Sequence, residues 1–195
     1  MRKLIVTEWI SLDGVVQSPA YPDEDRSGGF RHGGWHMPYF DDAAREWVLN
    51  NITSAGGYLF GRRTYEAFAA HWPKASKEEQ PLARPLNERP KYVASRSLSA
   101  PLAWQGSTLL EGDAGEAVAA LKRGDGGDLL VIGSTELVPA LLARGLVDEL
   151  RLMIDPVLLG GGKRIFRDDG ALRALRLVES RPTSTGALLT RYAPA

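Results

Sequence analysis

The stretch Gly57-Tyr58-Leu59-Phe60-Gly61-Arg62-Arg63-Thr64-Tyr65-Glu66 decides how the rest of this sequence is interpreted. An apolar run that a glycine closes, followed by two arginines and a threonine, predicts a buried strand that turns into a helix. The first N–H groups of such a helix are unpaired, and the arginines add bidentate donors for an anion. The stretch therefore predicts a phosphate-binding turn at Gly61, Arg62, Arg63 and Thr64. An ordinary turn with solvated arginines has the same local pattern.

Composition limits the class of protein to which this chain belongs. Its 195 residues suffice for one domain with a good core, so we expect a single domain over residues 1–195. The hydrophobic fraction of 44% and the charged fraction of 25% are ordinary globular values, which argue against disorder and against a fibrous class. With 24 basic and 24 acidic residues and no long run of like charge, we expect no nucleic-acid partner.

The sequence contains no cysteine and no apolar run of membrane-spanning length. Without thiols there is no disulfide and no thiolate nucleophile, so a bound cofactor must carry any redox chemistry. The segment Met1–Glu8 reaches charged residues too early for a signal peptide. We therefore expect a cytoplasmic protein without a membrane partner.

Apolar runs and helical patterns alternate along the chain. Strands are predicted over Leu4–Ile10, Lys91–Ser95 and Asp128–Gly133, and the hydroxyls that follow Gly133 suit the cap of the next helix. The last two runs, Leu172–Glu179 and Ala187–Tyr192, predict an antiparallel hairpin. This order predicts an α/β domain with a mostly parallel sheet and an antiparallel edge.

Two proline-containing segments interrupt this alternation. Gln17–Pro38 combines three prolines and two Gly-Gly pairs with aromatic side chains, a composition typical of a loop that folds over a ligand. A helix is predicted over Tyr39–Asn51, where apolar residues recur at helical spacing. Trp72–Pro90 contains four prolines among charged residues and is predicted to be a long surface connection.

Polar groups collect where the predicted strands end. In open α/β sheets, ligands bind beyond the carboxyl ends of the strands. Two helix-start turns there suit a pyrophosphate, and a cluster of Arg62, Arg63, Ser95 and Arg96 suits an additional phosphate monoester. A phosphorylated dinucleotide fits this pattern.

The same segments carry a family resemblance. Ser-Leu-Asp-Gly, Gly-Arg-Arg-Thr-Tyr-Glu, Ala-Ser-Arg-Ser-Leu, Val-Ile-Gly-Ser and Pro-Val-Leu-Leu-Gly-Gly-Gly-Lys-Arg-Ile-Phe follow one another as in the dihydrofolate reductase superfamily. The chain most resembles the branch that contains the reductase domain of the riboflavin-biosynthesis deaminase-reductase and its stand-alone bacterial relatives. The resemblance runs from about Leu4 to Phe166. It implies a dihydrofolate reductase-like three-layer domain, an NADPH cofactor and a homodimer.

The resemblance also implies a set of cofactor-binding residues. They are Gly14, Val16, Gly61, Arg62, Arg63, Thr64, Ser95, Arg96, Gly133, Ser134, Thr135, Glu136, Gly161 and Gly162. The three residues after Gly61 match the turn that binds the adenosine phosphate and the pyrophosphate, and Ser95 with Arg96 matches a second 2′-phosphate contact. Ser134 stands where the family often has a second glycine. Gly161 and Gly162 resemble the glycine pair that lets the cofactor pass close to the main chain.

Hydride transfer needs two rings held in register and a proton source, which can be a side chain or water. Asp13 and Asp42 are the candidate proton donors. Each also has a structural interpretation, Asp13 as a turn residue and Asp42 as a charge at a helix N-terminus. Trp35 and Tyr39 are candidate substrate-binding residues that could stack on a flat substrate or could equally pack the loop onto the sheet.

Two further clusters are not predicted to be sites. His32 and His36 lie in a glycine-rich loop without an obvious third ligand, so no metal site is predicted. The pair Asp148-Glu149 precedes an apolar strand and is predicted to be a solvated turn rather than a catalytic pair.

We therefore expect an NADPH-dependent reductase that acts on a small carbonyl-, imine- or pterin/pyrimidine-like substrate. One alternative is a non-catalytic NADP(H)-binding or sensory module with the same fold. Another is the ribosylaminopyrimidine reductase of the riboflavin pathway, although this sequence has no cysteine that could hold the zinc of a fused deaminase.

Overall fold

The computed structural model describes residues 1–195, which form eight strands and five α-helices. The strands are β1 (Leu4–Ser11), β2 (Gly57–Gly61), β3 (Lys91–Ala94), β4 (Ser107–Leu109), β5 (Leu129–Ile132), β6 (Glu149–Asp155), β7 (Leu175–Pro182) and β8 (Leu188–Pro194). The helices are α1 (Asp42–Ser54), α2 (Arg62–His71), α3 (Gln80–Glu88), α4 (Ala114–Arg123) and α5 (Leu137–Ala143). None of the helices combines the length and the apolar character needed to cross a membrane.

The eight strands form one mixed sheet in the order β4-β3-β2-β5-β1-β6-β8-β7. Strand β2 pairs in parallel with β3 and β5, and β3 pairs in parallel with β4. Strand β8 pairs antiparallel with both β6 and β7. The predicted α/β fold, with a mostly parallel sheet and a C-terminal antiparallel hairpin, is confirmed.

The chain divides into two compact units. The first comprises Met1–Val6 and Val48–Asp148, and the second comprises Thr7–Trp47 and Glu149–Ala195. Each unit contains its own cluster of buried apolar side chains. The single domain over residues 1–195 stays a prediction.

Strand β2 lies at the centre of the first unit because its whole sequence is apolar. All five of its residues are buried. Tyr58 and Phe60 pack in one cluster with Tyr65 of α2 and with Trp104, and the Tyr65 hydroxyl accepts the backbone N–H of Trp104 at 3.0 Å. These contacts fix the start of α2 against the sheet.

The prediction of a long surface connection over Trp72–Pro90 is wrong for its second half, which forms α3 and buries two of its side chains. Pro81 stands in the first helical turn, where its missing N–H group costs nothing. Pro85 removes one hydrogen bond inside the helix, but Ala83 and Leu86 are fully buried. Their apolar burial therefore outweighs the proline penalty.

The predicted hydroxyl cap of α5 is also wrong. The helix begins at Leu137, and its N-cap residue Glu136 makes no side-chain capping hydrogen bond. The N–H of Val138 instead donates to the carbonyl of Ser134 at 3.1 Å. Pro139 lies in the first turn, as predicted.

The prediction of a solvated Asp148-Glu149 turn fails for Glu149, which begins β6 and is buried. Its Oε1 accepts hydrogen bonds from Arg151 Nε at 2.6 Å and from Arg191 Nε at 2.9 Å. Burial opposes ionisation, but the hydrogen bonds and charges of these two arginines hold the pKa of Glu149 below its ordinary value. The residue is thus part of a buried ion-pair network.

Candidate functional site

Helix α2 begins directly after β2, at the turn that the sequence predicts to bind an anion. Its N-cap residue Gly61 is extended and has no side chain to cap the helix. The N–H groups of the first turn are therefore left without a capping side chain. Arg62 and Arg63 are exposed, and Arg62 lies 3.9 Å from Glu66 in an exposed pair that contributes little. The turn has the donors and the positive charge that anion binding requires.

Gly61 and Gly133 allow the turn after β2 and the turn after β5 to pack closely against each other. A Cβ atom on Gly133 would lie 2.9 Å from Thr64 Oγ1, and one on Gly61 would overlap the hydroxyl of Ser134. Gly133 has a φ of +65°, which favours glycine, and the Gly133–Ser134 peptide bond is cis. The structure therefore brings these four predicted cofactor-binding residues together.

The third predicted element follows β3. The parallel register of β2 and β3 ends with Gly61 beside Ala94, so Ser95 and Arg96 leave the sheet at the same edge as α2. Ser95 Oγ accepts the backbone N–H groups two and three residues later, at 3.2 and 3.0 Å. Its hydroxyl proton is still available to a ligand, and Arg96 is exposed.

Asp13 connects two loops of the second unit. Its Oδ1 accepts the hydroxyl of Ser11 at 2.7 Å and the N–H of Leu159 at 3.1 Å. Its Oδ2 accepts the N–H of Gly160 at 2.9 Å and lies 3.6 Å from Arg164. Partial burial opposes ionisation, but these hydrogen bonds hold the pKa of Asp13 below its ordinary value. The geometry favours the structural interpretation of this residue over that of a proton donor.

The start of α1 likewise favours the structural interpretation of Asp42. Asp42 is exposed in the first helical turn, where its charge complements the helix dipole. The capping carboxylate is that of Asp41, whose Oδ1 accepts the N–H of Ala44 at 2.9 Å. Its Oδ2 accepts the N–H and the hydroxyl of Ser184, at 2.9 and 2.6 Å.

The loop from Gln17 to Pro38 is held onto the segment that follows β6. The buried amide of Gln17 accepts the N–H of Lys163 at 3.0 Å and donates to the carbonyls of Asp25 and Ser27, each at 3.0 Å. Lys163 Nζ lies 2.5 Å from Asp25 Oδ2. Burial opposes ionisation there, but this ion pair and the Ser27 hydrogen bonds lower the pKa of Asp25 to about 2.

A cavity of about 430 Å³ lies beneath this loop, lined by Gln17, residues 27–32, Leu159 and residues 161–163. Its size falls in the range of small-molecule sites. A Cβ atom on Gly161 would meet nothing within 4 Å, whereas one on Gly162 would lie 2.6 Å from Val15 and 3.0 Å from Phe30. Gly161 thus borders open space, and Gly162 permits close packing of the loop.

The remaining predicted residues of the second unit are engaged in the loop itself. Gly14 has a φ of +85°, and Val16 is buried with its N–H donated to the carbonyl of Lys163 at 2.9 Å. Trp35 is buried, and its Nε1 donates to the carbonyl of Gln17 at 2.8 Å. Tyr39 is partly buried against the cluster that contains Trp47 and Met153. The geometry favours the packing interpretation of Trp35 and Tyr39.

The structure also contains a buried pair that the sequence interpretation missed. His36 Nδ1 lies 2.7 Å from Asp155 Oδ2, and both side chains are fully buried. Trp9 stacks on the imidazole with a centroid distance of 4.0 Å and an interplanar angle of 21°. Burial raises the pKa of Asp155, and the hydrogen bond from His36 partly offsets this effect. No group of three or more His, Cys, Asp or Glu side chains is placed to hold a metal ion.

Solved structures show which class of fold this is. The chain is similar to a pyrimidine reductase-like protein from Corynebacterium diphtheriae, with a TM-score of 0.65 and 15% identity over 100% of this chain and 92% of that one. It is also similar to dihydrofolate reductase from Enterococcus faecalis complexed with NADP(H), with a TM-score of 0.62 and 15% identity over 98% and 96%. The fold is thus that of the dihydrofolate reductases.

The sequence places the chain more narrowly. The family model described as the RibD C-terminal domain matches residues 2–189. The chain belongs to this family, which is a reductase family with the dihydrofolate reductase-like fold. It is 31% identical to the uncharacterized protein YyaP of Bacillus subtilis (strain 168) over 146 residues, which are 74% of this chain and 75% of YyaP.

Proposed function

We propose that this protein is an NADPH-dependent reductase that transfers a hydride to a small carbonyl-, imine- or pterin/pyrimidine-like substrate. The observation that carries the proposal is the convergence of the turns after β2, β3 and β5 at one edge of the sheet. Membership of the RibD C-terminal domain family supports it. So does the fold shared with an Enterococcus faecalis enzyme whose structure contains NADP(H).

The hydrogen-bond donors and the positive charges at these three turns fit NADPH. The exposed Arg62 and Arg96 and the hydroxyl of Ser95 would hold the 2′-phosphate, with Arg63 adding positive charge. The N–H groups at the start of α2 and those of residues 133–136 would hold the pyrophosphate. When bound, NADPH supplies the hydride, and the chain orients the reacting rings and excludes water.

Calorimetric titration tests the cofactor directly. NADPH is expected to bind at least tenfold more tightly than NADH, because only NADPH carries the phosphate that the arginines would contact. Equal affinity for the two cofactors would argue against these arginine roles. NADPH oxidation with pterins, pyrimidine precursors, quinones and aldehydes then tests for turnover.

The close packing at Gly133, in the turn after β5, gives a second prediction. Gly133→Ala should weaken NADPH binding about tenfold or more and lower the melting temperature, because alanine is strained at a φ of +65° and its Cβ would lie 2.9 Å from Thr64 Oγ1. Calorimetry and thermal unfolding measure the two effects. Gly124→Ala is the matched control, since Gly124 has a φ of −72°. An unchanged affinity in Gly133→Ala would remove this turn from the cofactor site.

Two other candidate functions are each favoured by a specific observation. The hydrogen bonds that Asp13 accepts leave a reductase dependent on water as its proton source, whereas a non-catalytic NADP(H)-binding or sensory module needs no proton source. NADPH binding without turnover on any substrate would support that alternative. The family favours the riboflavin-pathway reduction, which complementation of a strain lacking that reductase would test. A homodimer and a cytoplasmic location are also proposals.

A further inference from the structure

The cavity of about 430 Å³ in the second unit is lined by basic side chains and by no acidic ones. Arg31, His32 and Lys163 line it, whereas no aspartate or glutamate does. Positive charge in a concave site concentrates anions there. All the lining residues belong to the second unit, and the turns after β2, β3 and β5 belong to the first. Those turns therefore do not account for the charge of this cavity.

Arg31 is the lining residue whose charge the surrounding loop does not neutralise. The loop from Gln17 to Pro38 contains three carboxylates, and each has another partner. These partners are Arg26 for Asp23, the backbone N–H groups of Ala20 and Tyr21 for Glu24, and Lys163 for Asp25. Arg31 is exposed and takes part in none of these pairs. Its guanidinium therefore keeps its hydrogen-bond donors for a ligand.

The same cavity also offers an apolar surface and free space. Phe30 is buried in a cluster of apolar side chains, Leu159 packs against that cluster, and both residues line the cavity. Cβ atoms on Gly28, Gly29 and Gly161 would meet nothing within 4 Å, so the walls are open at these positions. The cavity thus combines a cationic group with an apolar surface and room for a small ring.

We propose that this cavity binds a small molecule that combines an apolar body with one anionic group, a carboxylate or a phosphate, and that the guanidinium of Arg31 holds the anionic group. Phe30 and Leu159 contact the apolar body. The planar fork of a guanidinium matches both anions, and such charge-assisted hydrogen bonds are about twice as strong as neutral ones. The proposal does not rest on the reductase function, because its residues lie outside the turns after β2, β3 and β5.

Calorimetric titration of the full chain with benzoate, phenyl phosphate and benzamide tests the proposal. At least one of the two anions is expected to bind saturably, and the tighter of them identifies the preferred anionic group. Benzamide has the ring without the charge and should bind at least tenfold more weakly. Acetate and inorganic phosphate have the charge without the ring and should also bind at least tenfold more weakly, because they bury no ring.

Three variants locate the binding site. Arg31→Met should weaken binding of the preferred anion about tenfold or more. Arg26→Met is the matched control, since it removes one positive charge from the same loop at a residue that does not line the cavity. Gly161→Leu should block the cavity, because Gly161 does not have a positive φ and its side chain would enter open space. It should therefore weaken binding about as much as Arg31→Met.

Thermal unfolding and a second titration in saturating NADPH complete the experiment. Arg31→Met and Arg26→Met should keep the wild-type melting temperature, since both arginines are exposed. Affinity for the preferred anion should be the same with and without NADPH. Absence of saturable binding by both anions would overturn the proposal, as would an equal loss in Arg26→Met and Arg31→Met. Displacement of the anion by NADPH would also overturn it, because the cavity would then belong to the cofactor site. Failure of the reductase proposal would appear separately, as equal NADPH and NADH affinities.

Discussion

Replacing Arg62 and Arg96 together with serine is expected to lower NADPH affinity about 100-fold or more and to leave NADH affinity nearly unchanged. Each guanidinium would donate charge-assisted hydrogen bonds to the 2′-phosphate, worth about 1.5 kcal/mol or more apiece. Two such losses correspond to about two powers of ten in the dissociation constant. NADH lacks that phosphate, so its affinity depends on the rest of the site. Calorimetric titration of both cofactors into both proteins measures the change.

The two arginines suit this experiment because little else depends on them. Both are exposed, and the 3.9 Å contact between Arg62 and Glu66 is too exposed to stabilise the fold much. Arg63 is left unchanged because it already interacts within the protein. Arg84→Ser is the control, since Arg84 is exposed and its ion-pair partner is Glu88, one helical turn away. Lysine in place of both arginines should give an intermediate loss, because it keeps the charge without the bidentate geometry.

The expectation is contradicted if NADH affinity falls as far as NADPH affinity. That result would indicate a general disturbance of the turn rather than the loss of a phosphate contact. Unchanged NADPH affinity would place the 2′-phosphate elsewhere.

The strand–turn–helix features were predictable because each lies within a few consecutive residues. The apolar run of β2, the glycine that ends it and the helix that begins at Arg62 follow from local steric and hydrogen-bonding rules. The register of parallel strands then places separate turns at one edge of the sheet, as the approach of Gly133 to Thr64 shows. Sequence order and local pattern together therefore predicted the arrangement of these turns.

The features that sequence reasoning missed depend on contacts between distant residues. His36 and Asp155 are separated by 119 positions, and neither has a neighbour whose pattern indicates pairing. Helix α3 forms despite Pro85 because Leu86 enters a core that other segments build. Glu149 can be buried as a carboxylate because Arg191 of the neighbouring strand β8 donates a hydrogen bond to it. In each case tertiary packing overrode a local preference, which a single sequence does not display.

Glu8 is expected to make the free energy of unfolding fall as the pH rises from about 4.5 to about 8. Its side chain is buried in β1, and its Oε1 has no hydrogen-bond partner. Burial disfavours the charged form and raises the pKa of Glu8 from 4.5 to about 8. In this interval the unfolded chain has released the proton while the folded protein still binds it, so each step upward in pH favours unfolding. The contribution is fully present below pH 4.5 and is lost above pH 8.

Glu8→Met measures this effect because methionine has a similar length and no proton to release. The pKa difference corresponds to about 4–5 kcal/mol, so the variant should exceed the wild type by several kcal/mol at pH 8.5 and by much less at pH 5. Urea unfolding at pH 5, 7 and 8.5 gives the three differences. Glu88→Met, a change at an exposed carboxylate, should keep the wild-type slope. If Glu8→Met retains the decline in stability between pH 5 and 8.5, the decline comes from another group.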